Sequence, residues 1–171
     1  MEDQERTAVT MEEYAQVLFL WLSHTVGREM KRPIYRSFTA WLPKNRRKYR
    51  SEQIALEMWI MLDLLDGLVR DRPRLQVITE IFHHTVYDHL PPGTTSDFSA
   101  WRSFLGQRYH EYAVALQTEH PSSPLYVVAA KLIENLYGQT GKDPPAMMKA
   151  MARIALSMQY FGETMAKYEV V

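Results

Sequence analysis

Three histidines and an aspartate fall within ten residues, IFHHTVYDHL at 81–90, directly after Glu80. Glu80 and His83 form a Glu-x-x-His, a spacing that, used twice, lets a helical bundle hold two metal ions with every ligand turned inward. Placed on a helix at about 100° per residue, Ile78, Ile81, Phe82, Thr85 and Val86 take the apolar face, and Glu80, His83, His84 and Tyr87 take the opposite one. Ligands of a buried metal cannot face solvent, and the chain has no second Glu-x-x-His. The expectation is therefore a solvated face with i,i+3 and i,i+4 polar pairs, no metal site and no cofactor. His89 falls on the apolar side just before the helix ends, where a packed ring bonded to a carbonyl is expected.

Two charges lie on the wrong side of their helices. Ile54, Met58, Met61, Leu65 and Leu68 make a core stripe, and Glu57 sits on its flank. Phe98, Trp101, Leu105, Tyr109, Tyr112 and Leu116 make another, with Arg108 inside it. A buried charge must be paired, so Arg108 is expected to meet Glu57 or another inward acid as a structural pair helped by tyrosine hydroxyls. The rival is an inter-helix pocket around Glu57, Arg108, Tyr109, Tyr112 and His89, serving an enzyme or a small-ligand carrier. Asp63, Asp66 and Asp71 with Arg70 and Arg72 read as a solvated face.

Two surfaces could bind a partner. From Arg28 to Arg50 nine Lys or Arg face the single acid Glu29, although the whole chain carries no net charge. The densest part, PKNRRKYR, places Lys44, Arg46, Arg47, Lys48 and Arg50 around Tyr49 and reads as a basic loop for an anionic surface, lipid headgroups or RNA, with Tyr49 free to stack or to sit at a lipid interface. No helix-turn-helix or RNA-binding fingerprint accompanies it, so sequence-specific DNA binding is not expected. Met147, Met151, Met158 and Met165 fall along one face of the last helix with Ile154 and Phe161, and could form core or an apolar groove. Ala155, Gly162 and Ala166 beside them would let a helix approach closely.

The elements that must position these residues are helical. Periodicity near 3.6 runs through almost every segment, and alternating strand patterns bounded by turns are absent. At 171 residues the chain fits one domain, with 1–9 as a frayed tail. Prolines and glycines divide it into an all-α, single-domain helical bundle of five long helices plus one short helix, mostly antiparallel. Helical stretches are expected from Thr10, capped by Glu13, to Lys31; from Ile34 to Trp41; from Ser51 to Asp71; from Pro73 to Leu90; from Ser96 or Asp97 to Glu119; from Pro124 to Tyr137 with Gly138 as the stop; and from Pro144 to Tyr168. There is no cysteine, so thiolate chemistry is excluded. A Gly-rich phosphate loop, a nucleophile elbow and a His-Glu-x-x-His are absent. GQTGKD at 138–143 reads as a turn. No signal segment or membrane-spanning run is readable, and a cytoplasmic location, with membrane association as an option, is expected.

IALEMWIMLDLL at 54–65, FLGQRYHEYAVAL at 104–116 and AAKLIENLYGQ at 129–139, followed by an alanine-rich final helix, resemble the ubiquinol-cytochrome c chaperone family over residues 54–168. Where that family carries a histidine before the aromatic of its first apolar helix, this chain has Glu57-Met58-Trp59. The resemblance implies a non-enzymatic assembly factor working beside a membrane and near the ribosome. The leading expectation is accordingly a protein-binding or assembly-chaperone module held to an anionic surface by its basic loop. An enzyme or ligand carrier and a basic RNA-associated protein are the alternatives.

Overall fold

The computed structural model describes residues 6–31, 46–89, 97–121, 123–138 and 144–171. Among them the chain forms six helices and two three-residue strands: β1 (Thr7–Val9), α1 (Met11–Lys31), α2 (Arg46–Leu68), α3 (Arg72–His89), α4 (Phe98–Gln117), α5 (Pro124–Tyr137), α6 (Pro144–Met165) and β2 (Tyr168–Val170). The fold is all-α. No described helix is long and apolar enough to cross a membrane.

The helix ends follow local chemistry. Thr10 and Glu13 form a reciprocal capping box, with Glu13 N–H donating to Thr10 Oγ1 (3.2 Å) and Thr10 N–H to Glu13 Oε2 (2.8 Å). The Asp97 carboxylate accepts from the Ala100 N–H at 2.8 Å, satisfying one of the orphan donors at the start of α4. In α5, Ser123 caps Leu125 N–H, Pro124 occupies the first turn, and Gly138 closes the helix at φ 69°, a left-handed conformation that glycine takes without a Cβ penalty. The short helix expected at Ile34 to Trp41 lies outside the described residues, as does Lys44.

Two boundaries differ from expectation. α2 begins at Arg46 rather than Ser51, so most of the basic run belongs to a helix and not to a loop. The last helix stops at Met165, and Tyr168–Val170 pairs in parallel with Thr7–Val9, Val9 opposite Val170. Strands of three residues are too short to show an alternating pattern, and here each supplies the other's backbone partners, Thr7 N–H reaching Lys167 O and Val171 N–H reaching Val9 O.

α2 packs against all five other helices. Every residue from Ser51 to Met61 is buried, a consequence of neighbours on all sides. The helix divides the core in two. Ile54, Ala55, Met58, Met61 and Leu65 join α1, α3 and parts of α4 and α6 around Trp101 and Phe161. Leu56, Trp59 and Ile60 join α5 and the rest of α4 and α6 around Tyr112 and Ile154. Three polar side chains inside this buried stretch, Glu52, Gln53 and Glu57, must be satisfied by partners, and those partners define the interior of the protein.

Candidate functional site

Glu57 is fully buried, and its partner is Arg153 of α6, not Arg108. Arg153 Nη2 donates to Glu57 Oε1 at 2.5 Å, Nη1 donates to Gln53 Oε1 at 2.7 Å, and Nε lies 3.1 Å from Glu29 Oε2 on α1. Ser157 donates to Glu57 Oε2 at 2.6 Å, and the Tyr49 hydroxyl donates to Glu29 Oε1 at 2.8 Å. One guanidinium thus ties α1, α2 and α6 together. Room for it comes from its own helix, where Ala146, Ala150 and Ser157 form a row of small residues beside it. That row, and the fall of Glu29 in line with Leu22, Thr25 and Val26, were the available sequence signals for the cluster.

Arg108 meets a different acid on another side of α2. Its Nε and Nη2 form a fork on Glu52, at 2.7 and 2.8 Å from Oε2 and Oε1, the bidentate geometry that a planar guanidinium favours. Its Nη1 reaches Glu111 at 3.0 and 3.2 Å, and Gln107 and Asn135 also donate to Glu111. Burial alone would raise the Glu111 carboxyl, but the bonds from Gln107 and Asn135 and the charges of Arg108 and Lys131 outweigh it and hold the group below the usual carboxylate range. Glu57 and Arg108 therefore do not share a site: the two charges belong to separate clusters, each engaged by its own partners.

The histidine stretch is not a solvated face throughout. α4 covers part of it, with Arg102 bonded to Glu80 at 3.1 Å, Phe98 stacked on His84, and Tyr109 edge-on to His83. His83 Nδ1–H donates to the Thr79 carbonyl at 2.7 Å, which leaves Nε2 to accept from the Tyr109 hydroxyl at 3.2 Å. Burial keeps the His83 imidazole below the ordinary histidine range; the Thr79 bond and Glu80 oppose this, while Arg102 and His84 add to it. These side chains do not converge, and no group of three or more His, Asp or Glu among the described residues is placed to hold a metal. His89 is exposed, with its ring beside Phe19 and Nδ1–H on the Thr85 carbonyl.

A neutral, half-buried imidazole has a pH signature. Between the folded His83 value and the unfolded one of about 6.5, the unfolded chain binds a proton that the folded chain refuses. This contribution is complete above the unfolded value and is lost as pH falls through that window. Urea midpoints should therefore drop more steeply from pH 7 to pH 5 in the wild type than in His83→Gln; equal slopes would show that His83 does not titrate this way.

The expected binding surfaces change character. Tyr49 is 2% exposed and held by Glu29, so it is not available to stack on a base or a lipid. Arg47 and Lys48 are exposed, Arg50 is half-buried, and the Arg46 side chain lies outside the described atoms. Met147 and Met165 are buried and Met151 and Met158 are half-buried, packed with Ile154 and Phe161; that face of α6 is core rather than an open groove. The opposite side of α6 is the apolar surface. Met148 is 70% exposed, Leu156 48% and Tyr160 50%, with exposed Ala152 and Ala155 between them. Their spacing of i, i+4, i+7, i+8 and i+12 makes one continuous stripe. An added Cβ at Gly162 would meet nothing within 4 Å.

No protein-family model matches the chain, and no curated protein or solved structure shows significant similarity to it.

Proposed function

We propose that this chain is a protein-binding module of the assembly-chaperone kind, which receives an amphipathic helix of a partner protein along the outer face of α6. The observation that carries it is the Met148–Tyr160 stripe. Among the described residues the other exposed large apolar side chains, Leu20, Leu68, Val77, Val114 and Val171, sit singly on separate elements, as is ordinary for a protein surface. Those on α6 line up over twelve residues, roughly 18 Å of helix, long enough for three turns of a docked helix. Alanines between large side chains leave grooves into which the ridges of a second helix fit.

Two further features support this reading. The exposed Arg47 and Lys48 belong to a segment whose surplus of positive charge suits an anionic membrane surface or a ribosome near which an assembly factor would work. The segments resembling the ubiquinol-cytochrome c chaperone family fall in α2, α4, the end of α5 and α6, so the likeness takes in both the scaffold and the helix that carries the stripe.

The double variant Leu156→Glu/Tyr160→Glu tests the reading. Both positions are exposed, so its stability should stay within about 0.5 kcal/mol per site of the wild type. Purification from native extracts should recover a defined protein with the wild type and lose it with the variant. Equal recovery by both would place the binding surface elsewhere.

A further inference from the structure

At the end of the bundle, the turn from α2 to α3 and the β1–β2 pair border an open cleft of about 500 Å³. This lies within the size range of small-molecule sites, roughly 300–1,000 Å³. Three arginines line it, Arg6, Arg70 and Arg74. Arg74 is engaged, with Nη1 on the Val170 carbonyl at 2.9 Å and Nε 3.3 Å from Asp71. Arg6 and Arg70 have no hydrogen-bond or ion-pair partner among the described residues. Tyr14 also lines the cleft. It is 2% exposed, yet its hydroxyl has no partner among the described residues.

We propose that this cleft binds a small phosphate monoester, its phosphate held by the Arg6 and Arg70 guanidiniums and its organic body lying against Tyr14, Leu68 and Met165. A guanidinium fork fits the oxygens of a phosphate bidentately, and two unengaged forks match a dianion better than a monoanion. The cleft is too large for inorganic phosphate alone, and its walls are partly apolar. The Tyr14 hydroxyl at this wall can donate to an oxygen of a bound ligand; burial pushes the Tyr14 phenol up to about 12, so it stays protonated and able to donate.

Charges opposing an anion are also present. Asp71 lines the space but is neutralised by Arg74 and caps the Arg74 N–H, and Glu169 lines it without an ion pair among the described residues. The C-terminal end of α2 borders the same space, and a helix C-terminus disfavours negative charge. Binding thus depends on the two free guanidiniums, which makes it sensitive to their removal one at a time. This site is separate from the α6 stripe, and either can fail without the other.

The test titrates phenyl phosphate, phenylacetate and inorganic phosphate at constant ionic strength, following thermal stabilisation and calorimetric Kd. Phenyl phosphate should bind saturably and more tightly than the other two. Arg6→Gln and Arg70→Gln, both at exposed positions, should each weaken it about tenfold or more, while Arg102→Gln, at an exposed position on α4 outside the cleft, should change nothing. Absence of saturable binding, or wild-type affinity in either arginine variant, would overturn the site. Tighter binding of phenylacetate would overturn its assignment to a phosphate.

Discussion

Replacing Arg153 by methionine is expected to cost the folded state about 3–5 kcal/mol, the usual penalty for removing one partner of a buried ion pair. Glu57 is fully buried and would keep only the Ser157 hydroxyl among the described residues, while Gln53 would lose the donor to its side-chain oxygen. The penalty comes from the stranded carboxylate rather than from lost attraction. The double variant Glu57→Gln/Arg153→Met should therefore recover a large part of the loss, since a neutral amide in the same space can still bond to Ser157. Urea unfolding of the wild type, both single variants and the double variant gives the coupling directly. Strictly additive single effects would mean that Glu57 and Arg153 do not act as a pair.

The second large effect is expected at Arg108. Glu52 is 1% exposed and receives both arms of the Arg108 fork. Arg108→Met strands it, for about 3–5 kcal/mol. Glu111 suffers less because Gln107 and Asn135 still donate to it. Arg108→Lys should recover only part of the loss, since an ammonium cannot reproduce two parallel bonds to one carboxylate. Full recovery with lysine in the same unfolding assay would show that charge alone matters there. Because the two clusters lie on different sides of α2 and share no residue, the losses from Arg108→Met and Arg153→Met should add.

These clusters explain why the helices were legible in the sequence while the pairings were not. Caps and breakers are local: Thr10 with Glu13, Pro124 at a helix start and Gly138 at its end announce themselves within four residues. The inward positions of Glu57 and Arg108 also followed from helical period. Which acid meets which arginine depends on how five helices sit around α2. Glu52 lies 56 residues from Arg108 and Glu57 lies 96 from Arg153, and no local pattern carries that information. Period even misleads along α2, because a helix surrounded on all sides has no solvent face for a pattern to mark.

The same reasoning applies to the surfaces. On α6 the methionine row and the exposed stripe are both apolar; only the positions of α2 and α5 decide that Met147 and Met165 are core and that Met148, Leu156 and Tyr160 are outside. Tyr49 sat within a basic run, but the inward turn of α2 brings it to Glu29. His83 was placed toward solvent by the wheel of its own helix, and it is α4 that covers it, through Tyr109. In each case the missing information was the neighbour.

The central claim is that the outer face of α6 receives a partner helix. The most direct measurement places a photo-crosslinking amino acid at Ala155, within the stripe, and in a parallel protein at Gln76, an exposed position on α3, and irradiates both in native extracts. Adducts to one defined protein from Ala155 but not from Gln76, abolished by Leu156→Glu/Tyr160→Glu, are the predicted result. No adduct from Ala155, or the same adducts from both positions, would contradict it.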